Sequence, residues 1–155
     1  MQAHTESFEK PQGCTNLKLR QLTRRVTQVY DTEMARVGLK TSQYSLLSYV
    51  QKLGPVRPMD LAAAIKMDAS TLTRNLKPLV AAGWVTNLPG ADGRTRVVAM
   101  TEAGREKRSE AQRKWRMAQE NINELLGVGS VLALHQLIDE SMEKLSRHTV
   151  GDDHE

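Results

Sequence analysis

The 155-residue chain contains one cysteine, Cys14, and no apolar run longer than the five residues 61–65. One cysteine cannot form an intrachain disulfide or a zinc site built from several thiolates. The apolar run is far shorter than the roughly 18 residues that a membrane-spanning helix needs. Residues 1–10 are polar and include Glu6 and Glu9, which is not the pattern of a secretory signal peptide. We therefore expect a cytoplasmic protein with no membrane contact.

Motifs for catalysis and for metal binding are also missing. The sequence has no glycine-rich phosphate loop, no Gly-x-Ser-x-Gly and no His-Glu-x-x-His. The four histidines are dispersed along the chain, at His4, His135, His148 and His154. We expect no enzymatic activity, no metal and no cofactor.

The charge is unevenly distributed along the chain. Lysine and arginine outnumber aspartate and glutamate by 22 to 18, which gives a net charge of +4. Residues 139–155 hold six of the acidic side chains and only two of the basic ones, so the preceding part is more basic than the total suggests. A basic body favours an anionic partner, and nucleic acid is the usual one.

Apolar spacing and turn residues predict a chain of helices with one hairpin. Apolar residues three or four apart indicate amphipathic helices, whereas short β-branched runs around Pro89-Gly90 and Asp92-Gly93 indicate a hairpin. Asp68 is typical of a helix N-cap, and Pro78 is expected to kink the helix that follows. The predicted helices cover 15–37, 42–52, 58–65, 69–82 and two segments on either side of Gly127 and Gly129, and the predicted strands cover 84–88 and 96–100.

This order predicts a mainly α fold with a small β-hairpin wing. A winged helix-turn-helix lobe over about 41–101 would lie between flanking helices at about 15–37 and 102–148. One small domain, 14–150, cannot bury the apolar stripes of all these helices, so the flanking helices are expected to pair with a second copy. Residues 1–13 are interpreted as a flexible arm and 151–155 as an acidic tail.

The helix over 69–82 is the main candidate for DNA recognition. Hydroxyl and amide groups can bond to base edges, and an arginine can bind guanine or a phosphate. The candidates on this helix are Ser70, Thr71, Thr73, Arg74, Asn75 and Lys77. In the hairpin, Arg94 and Arg96 could reach the minor groove or phosphates, with Asp92 orienting Arg94. A solvated helix face and a solvated turn are the alternatives.

The chain resembles the MarR family of bacterial transcription regulators over about residues 15–145. The matching segments are Gly38-Leu39, Gln43-Tyr44, Asp60-Leu61-Ala62, residues 68–74, Leu79, Gly83-Trp84-Val85, Asp92-Gly93-Arg94 and Met100-Thr101-Glu102-Ala103-Gly104. The resemblance implies a homodimeric repressor on double-stranded DNA, at a pseudo-palindromic operator. It also implies release by a small-molecule effector.

The effector is expected to be an aromatic anion, because pockets of this family often take one. Such pockets usually lie between the dimerisation helices and the DNA-binding lobe. The candidate lining residues are Arg20, Arg24, Tyr30, Tyr44, Tyr49 and Trp115. Ordinary packing is the alternative role for these aromatic side chains.

Two further functions remain open at this point. Cys14 could make the protein a one-cysteine redox-responsive regulator, as in some members of the MarR family. It lies, however, about two residues before the position that the sensing cysteine has in those members. Because a helix turns by roughly 200° over two residues, Cys14 would face the wrong way. The chain could instead be a winged-helix interaction module that does not bind DNA, which its mild net charge favours.

Overall fold

The computed structural model describes residues 10–149, which form six α-helices and one β-hairpin. The elements in chain order are α1 (Thr15–Met34), a 3-10 turn (Ala35–Val37), α2 (Thr41–Leu53), α3 (Pro58–Ile65), α4 (Ala69–Ala81), β1 (Val85–Pro89), β2 (Arg96–Met100), α5 (Glu102–Leu126) and α6 (Val128–Thr149). The mainly α fold with a hairpin wing is therefore confirmed.

The joint between α3 and α4 is only three residues long. Lys66 ends α3 in the left-handed conformation, with φ 56°, and Met67 donates its backbone N–H to the carbonyl of Ala62 at 2.9 Å. This closes the end of α3 in the manner of a helix C-cap. Asp68 then begins α4 as its N-cap. Only three residues therefore separate the two helices.

The hairpin is antiparallel, with Val85 opposite Met100 and Pro89 opposite Arg96. Val56, in the loop before α3, adds a short bridge to the free edge of β2. Its N–H donates to the carbonyl of Val98 at 3.0 Å, and its carbonyl accepts from Val98 at 2.8 Å. The hairpin is therefore attached to the helices through the backbone as well as through side-chain packing.

One apolar core joins α2, α3, α4 and the hairpin. Its fully buried side chains are Met34, Leu46, Leu47, Val50, Leu61, Leu72, Leu79, Val85 and Val98. Ala111 of α5 belongs to the same core, and Trp115 packs against it. The first half of α5 is thus fixed to the winged lobe, whereas α6 contacts mainly α5.

The structure differs from the sequence interpretation in several details, among them Gly129, which was predicted to separate the last two helices but lies inside α6. The helix predicted over 15–37 changes to a 3-10 turn after Met34. Val80 of α4 is 40% exposed although it follows the buried Leu79, because it lies about 100° around the helix from that residue. The helix α4 continues through Pro78 to Ala81, as predicted within one residue, and the kink expected at Pro78 stays a prediction. Residues 1–9 of the arm and the tail at 151–155 lie outside the described residues, so the domain boundaries stay predictions.

Large apolar side chains remain exposed on α1, the end of α5 and α6. They are Leu17, Leu19, Leu22, Leu125, Leu126, Val128, Leu132, Leu137, Ile138 and Met142, and we refer to them as the apolar face. These side chains come from the two predicted dimerisation segments. Among residues 10–149, no helix has the combination of length and apolarity that a membrane crossing requires.

Candidate nucleic-acid interface

The start of α4 is fixed by the carboxylate of Asp68. It accepts hydrogen bonds from the backbone N–H of Thr71 at 2.8 Å and from the hydroxyls of Thr71 and Ser70, each at 2.6 Å. These bonds hold the pKa of Asp68 well below its usual range, and the bond from the hydroxyl of Ser70 contributes most. The N-cap is therefore ionised at neutral pH.

The same bonds determine what the hydroxyls of α4 can offer to a ligand. A hydroxyl has one hydrogen to donate and two lone pairs to accept with. Ser70 and Thr71 donate to Asp68, and Thr73 donates to the carbonyl of Ala69 at 2.9 Å. In this arrangement all three hydroxyls can only accept, which suits the amino groups of cytosine and adenine in the major groove.

The remaining candidates on α4 are not equally accessible. Arg74 and Lys77 are exposed, whereas Asn75 is half-buried and its amide nitrogen lies 3.6 Å from the sulfur of Met67. Arg74 lies within 3.4 Å of the hydroxyl of Thr71. The helix buries Leu72, Leu76 and Leu79, so its exposed face carries two cations and the hydroxyls at its start. The amide of Asn75 contacts Met67 instead.

The wing tip is folded around Asp92. One oxygen of this carboxylate accepts from the backbone N–H of Thr95 at 2.9 Å, from its hydroxyl at 2.8 Å and from the N–H of Arg94 at 3.0 Å. These bonds, led by the N–H of Thr95, lower the pKa of Asp92 to about 2. Asp92 thus positions Arg94 through the backbone, and the side chains of Arg94 and Arg96 are both exposed.

The structure does not bring the six candidate effector residues into one cavity. Arg20 and Arg24 are exposed on α1. The hydroxyl of Tyr30 donates to the side-chain oxygen of Gln119 at 2.5 Å, and burial raises the pKa of Tyr30. Tyr49 is half-buried against the core.

Tyr44 and Trp115 form part of the connection between the winged lobe and α5. Their ring centroids are 6.1 Å apart, and the guanidinium of Arg108 lies 5.9 Å from the ring of Tyr44. Arg108 also donates to the hydroxyl of Ser48 at 3.1 Å. This contact joins residues 60 positions apart, and no spacing rule in the sequence indicates it.

Cys14 is exposed at the residue before α1, and its side chain makes no capping hydrogen bond. Its redox role stays a prediction. Of the histidines, His4 and His154 lie outside the described residues, whereas His135 and His148 are exposed on α6. Residues 10–149 contain no group of three or more side chains that could hold a metal ion.

Comparison with known proteins gives matches over most of the chain. Residues 37–95 match the model of the MarR family. The uncharacterized HTH-type transcriptional regulator YwoH of Bacillus subtilis is 28% identical over 93 residues, which are 60% of this chain and 68% of YwoH.

Solved structures extend the likeness beyond the winged lobe. The Mycobacterium tuberculosis transcriptional regulator MOSR, solved in complex with DNA, is 29% identical with a TM-score of 0.69, over 84% of this chain and 98% of that one. A point mutant of Escherichia coli MarR, complexed with operator DNA, shares the fold with a TM-score of 0.74 at 19% identity, over 81% and 91% of the two chains. Residues 37–95 thus match the MarR family of transcriptional regulators, and the longer chain is similar to MOSR and has the fold of Escherichia coli MarR.

Proposed function

We propose that this protein is a cytoplasmic, DNA-binding repressor that acts as a homodimer on a pseudo-palindromic operator. The observation that carries the proposal is α4, whose apolar side is buried while Arg74, Lys77 and the hydroxyls at its start are exposed. The helix contains no acidic residue that would repel phosphate. The DNA complex of MOSR, at 29% identity, supports the same role for this chain.

The apolar face supports the homodimer. Exposed patches of this kind mark interaction sites, because association removes their apolar surface from water. A groove of about 230 Å³ between α1, α5 and α6 is lined by Leu22, Leu126 and Ile138, so it is continuous with the apolar face. A two-fold dimer would present two copies of α4 about 34–36 Å apart, one helical turn of DNA, which matches a pseudo-palindromic operator.

Recovery of genomic DNA tests DNA recognition. Purified protein is incubated with sheared DNA of its own host at moderate salt, and the bound fragments are sequenced. We expect a few sharp peaks over inverted repeats, and weaker peaks for Arg74→Ala because that variant lacks a base or phosphate contact. An absence of recovery for the wild-type protein would contradict the proposal and favour the interaction module.

We propose an aromatic anion as the effector that releases the DNA. Arg20 and Arg24 support it, because they are four residues apart on α1 and both exposed, so their guanidinium groups could bind one carboxylate. The test is whether benzoate raises the melting temperature and releases DNA. Arg24→Ala should abolish both effects, whereas Arg25→Ala, an exposed neighbour, should retain them. Equal responses of the two variants would exclude Arg24 as an effector contact.

A further inference from the structure

A small cleft lies between the start of α2 and the middle of α4. It has a volume of about 150 Å³ and is lined by Lys40, Ser42, Gln43 and Leu46 on one side and by Arg74, Asn75 and Pro78 on the other. We propose that this cleft binds a backbone phosphate of the DNA, with Lys40 and Ser42 as its ligands and Arg74 beside them. The inference rests on the proposed function and adds contacts outside α4 and the wing.

The charge of the cleft suits a phosphate. Its lining contains two cations, Lys40 and Arg74, and no acidic side chain. Both cations are exposed, and neither takes part in the ion pairs found among residues 10–149. Ser42 is exposed and adds a hydroxyl that can donate to a phosphate oxygen.

The cleft is also held in shape by the backbone around it. The side-chain oxygen of Gln43 accepts from the N–H of Lys40 at 2.9 Å, and Asp31 of α1 accepts from the N–H of Thr41 at 2.7 Å. The carboxylate of Asp31 is therefore engaged by the backbone of Thr41. Because these bonds fix the first turn of α2, Lys40 and Ser42 keep their positions beside α4.

The geometry of a helix in DNA explains why a phosphate would reach this cleft. The major groove is about 12 Å wide and a helix with its side chains is about 10–12 Å across, so a recognition helix fills the groove. An element packed along the flank of that helix then faces the groove wall, which is the phosphate backbone. The start of α2 is such an element, because it shares the cleft with Arg74 of α4.

The salt dependence of DNA binding tests the phosphate contact. Each neutralised phosphate contributes about 0.9 to the slope of log K against log salt concentration. Lys40→Ala should make this slope shallower by about that amount. Between 50 and 200 mM salt, the affinity of the variant should therefore fall by a factor about threefold smaller than the factor for the wild type. It should weaken binding equally for all DNA sequences. Ser42→Ala should weaken binding and leave the slope unchanged, because it removes no charge.

Lys52→Ala is the matched control. Lys52 is an exposed lysine on the same helix, about 18 Å along the axis from Lys40, so its removal changes the net charge equally without affecting the cleft. If Lys40→Ala and Lys52→Ala have the same slope, or if Lys40→Ala changes the base preference, the proposed phosphate contact is wrong. The proposal that the protein binds DNA is not affected by that result. If the wild-type protein shows no salt-dependent DNA binding, the proposed function itself falls.

Discussion

Gly104, in the first turn of α5, lies directly against the backbone carbonyl of Trp84, so that a Cβ at this position would overlap the carbonyl oxygen. A hydrogen bond of 2.6 Å from the hydroxyl of Thr101 to the carbonyl of Gly83 closes the same junction. The ammonium of Lys107 lies 5.8 Å from the ring of Trp84. The end of α4, the start of the wing and the start of α5 therefore form one rigid joint.

We expect Gly104→Ala to separate this joint, because the new methyl group meets backbone atoms that cannot rotate away. The cost should be about 3 kcal/mol in the free energy of unfolding, at the upper end for overpacked sites. Denaturant unfolding measures it. Gly129→Ala is the control, since Gly129 is also helical and a Cβ there meets nothing within 4 Å. Equal stability of the two variants would show that the joint can open at little cost.

The N-cap of α4 should give the stability of the protein a specific pH dependence. The pKa of Asp68 is lowered on folding, so its ionised form stabilises the fold above the unfolded pKa of about 3.9. That stabilisation is lost as the pH falls below about 4. Asp68→Asn keeps a capping oxygen without the charge and should be less stable than the wild type at pH 5–7, with the difference shrinking below pH 4. Urea unfolding at several pH values measures this difference, and a constant difference would show that charge plays no part.

The apolar face should control the oligomeric state without stabilising the monomer. Leu132 is 64% exposed on α6, so Leu132→Glu should leave the fold intact and shift the dimer towards monomer. A buried charge at the interface would be unpaired and therefore costly. Sedimentation measures the mass. Leu53→Glu, at a leucine 42% exposed on α2 and outside the apolar face, should remain dimeric. If Leu132→Glu also remains dimeric, α6 does not form the interface.

The sequence predicted the features of this fold that depend on local chemistry. The Asp68 cap, the short joint after Ile65 and the turn around Asp92 follow from residue preferences over a few positions. It did not predict the contact of Asn75 with Met67 or the bridge between Val56 and Val98. Both depend on contacts between segments that are distant along the chain or on opposite sides of a turn. Spacing along one helix carries no information about them.

The candidate effector residues illustrate the same limit. Tyr44 and Trp115 have the size and polarity of pocket residues, but their neighbours in the fold are each other and Arg108. Tyr30 is engaged with Gln119, a residue 89 positions away. An aromatic side chain at helical spacing can therefore contribute to packing or to a pocket, and only the arrangement of the helices distinguishes these roles.

Arg94 should contribute to DNA binding through charge alone. It is exposed at the wing tip, and the hydrogen bond that Asp92 accepts comes from its backbone N–H. Its guanidinium can therefore contact a phosphate, and Arg94→Ala should lower the slope of log K against log salt by about one unit.

Arg105→Ala removes the same charge from a position where Glu102 lies 3.1 Å away, so it should leave the slope unchanged.

Because the wing turn is held by the carboxylate of Asp92, Asp92→Ala should loosen the turn and reduce affinity even though it removes a negative charge from the interface. Simple electrostatics predicts the opposite, tighter binding on loss of an acid. Tighter binding by Asp92→Ala would therefore show that the order of the wing contributes less than its charge.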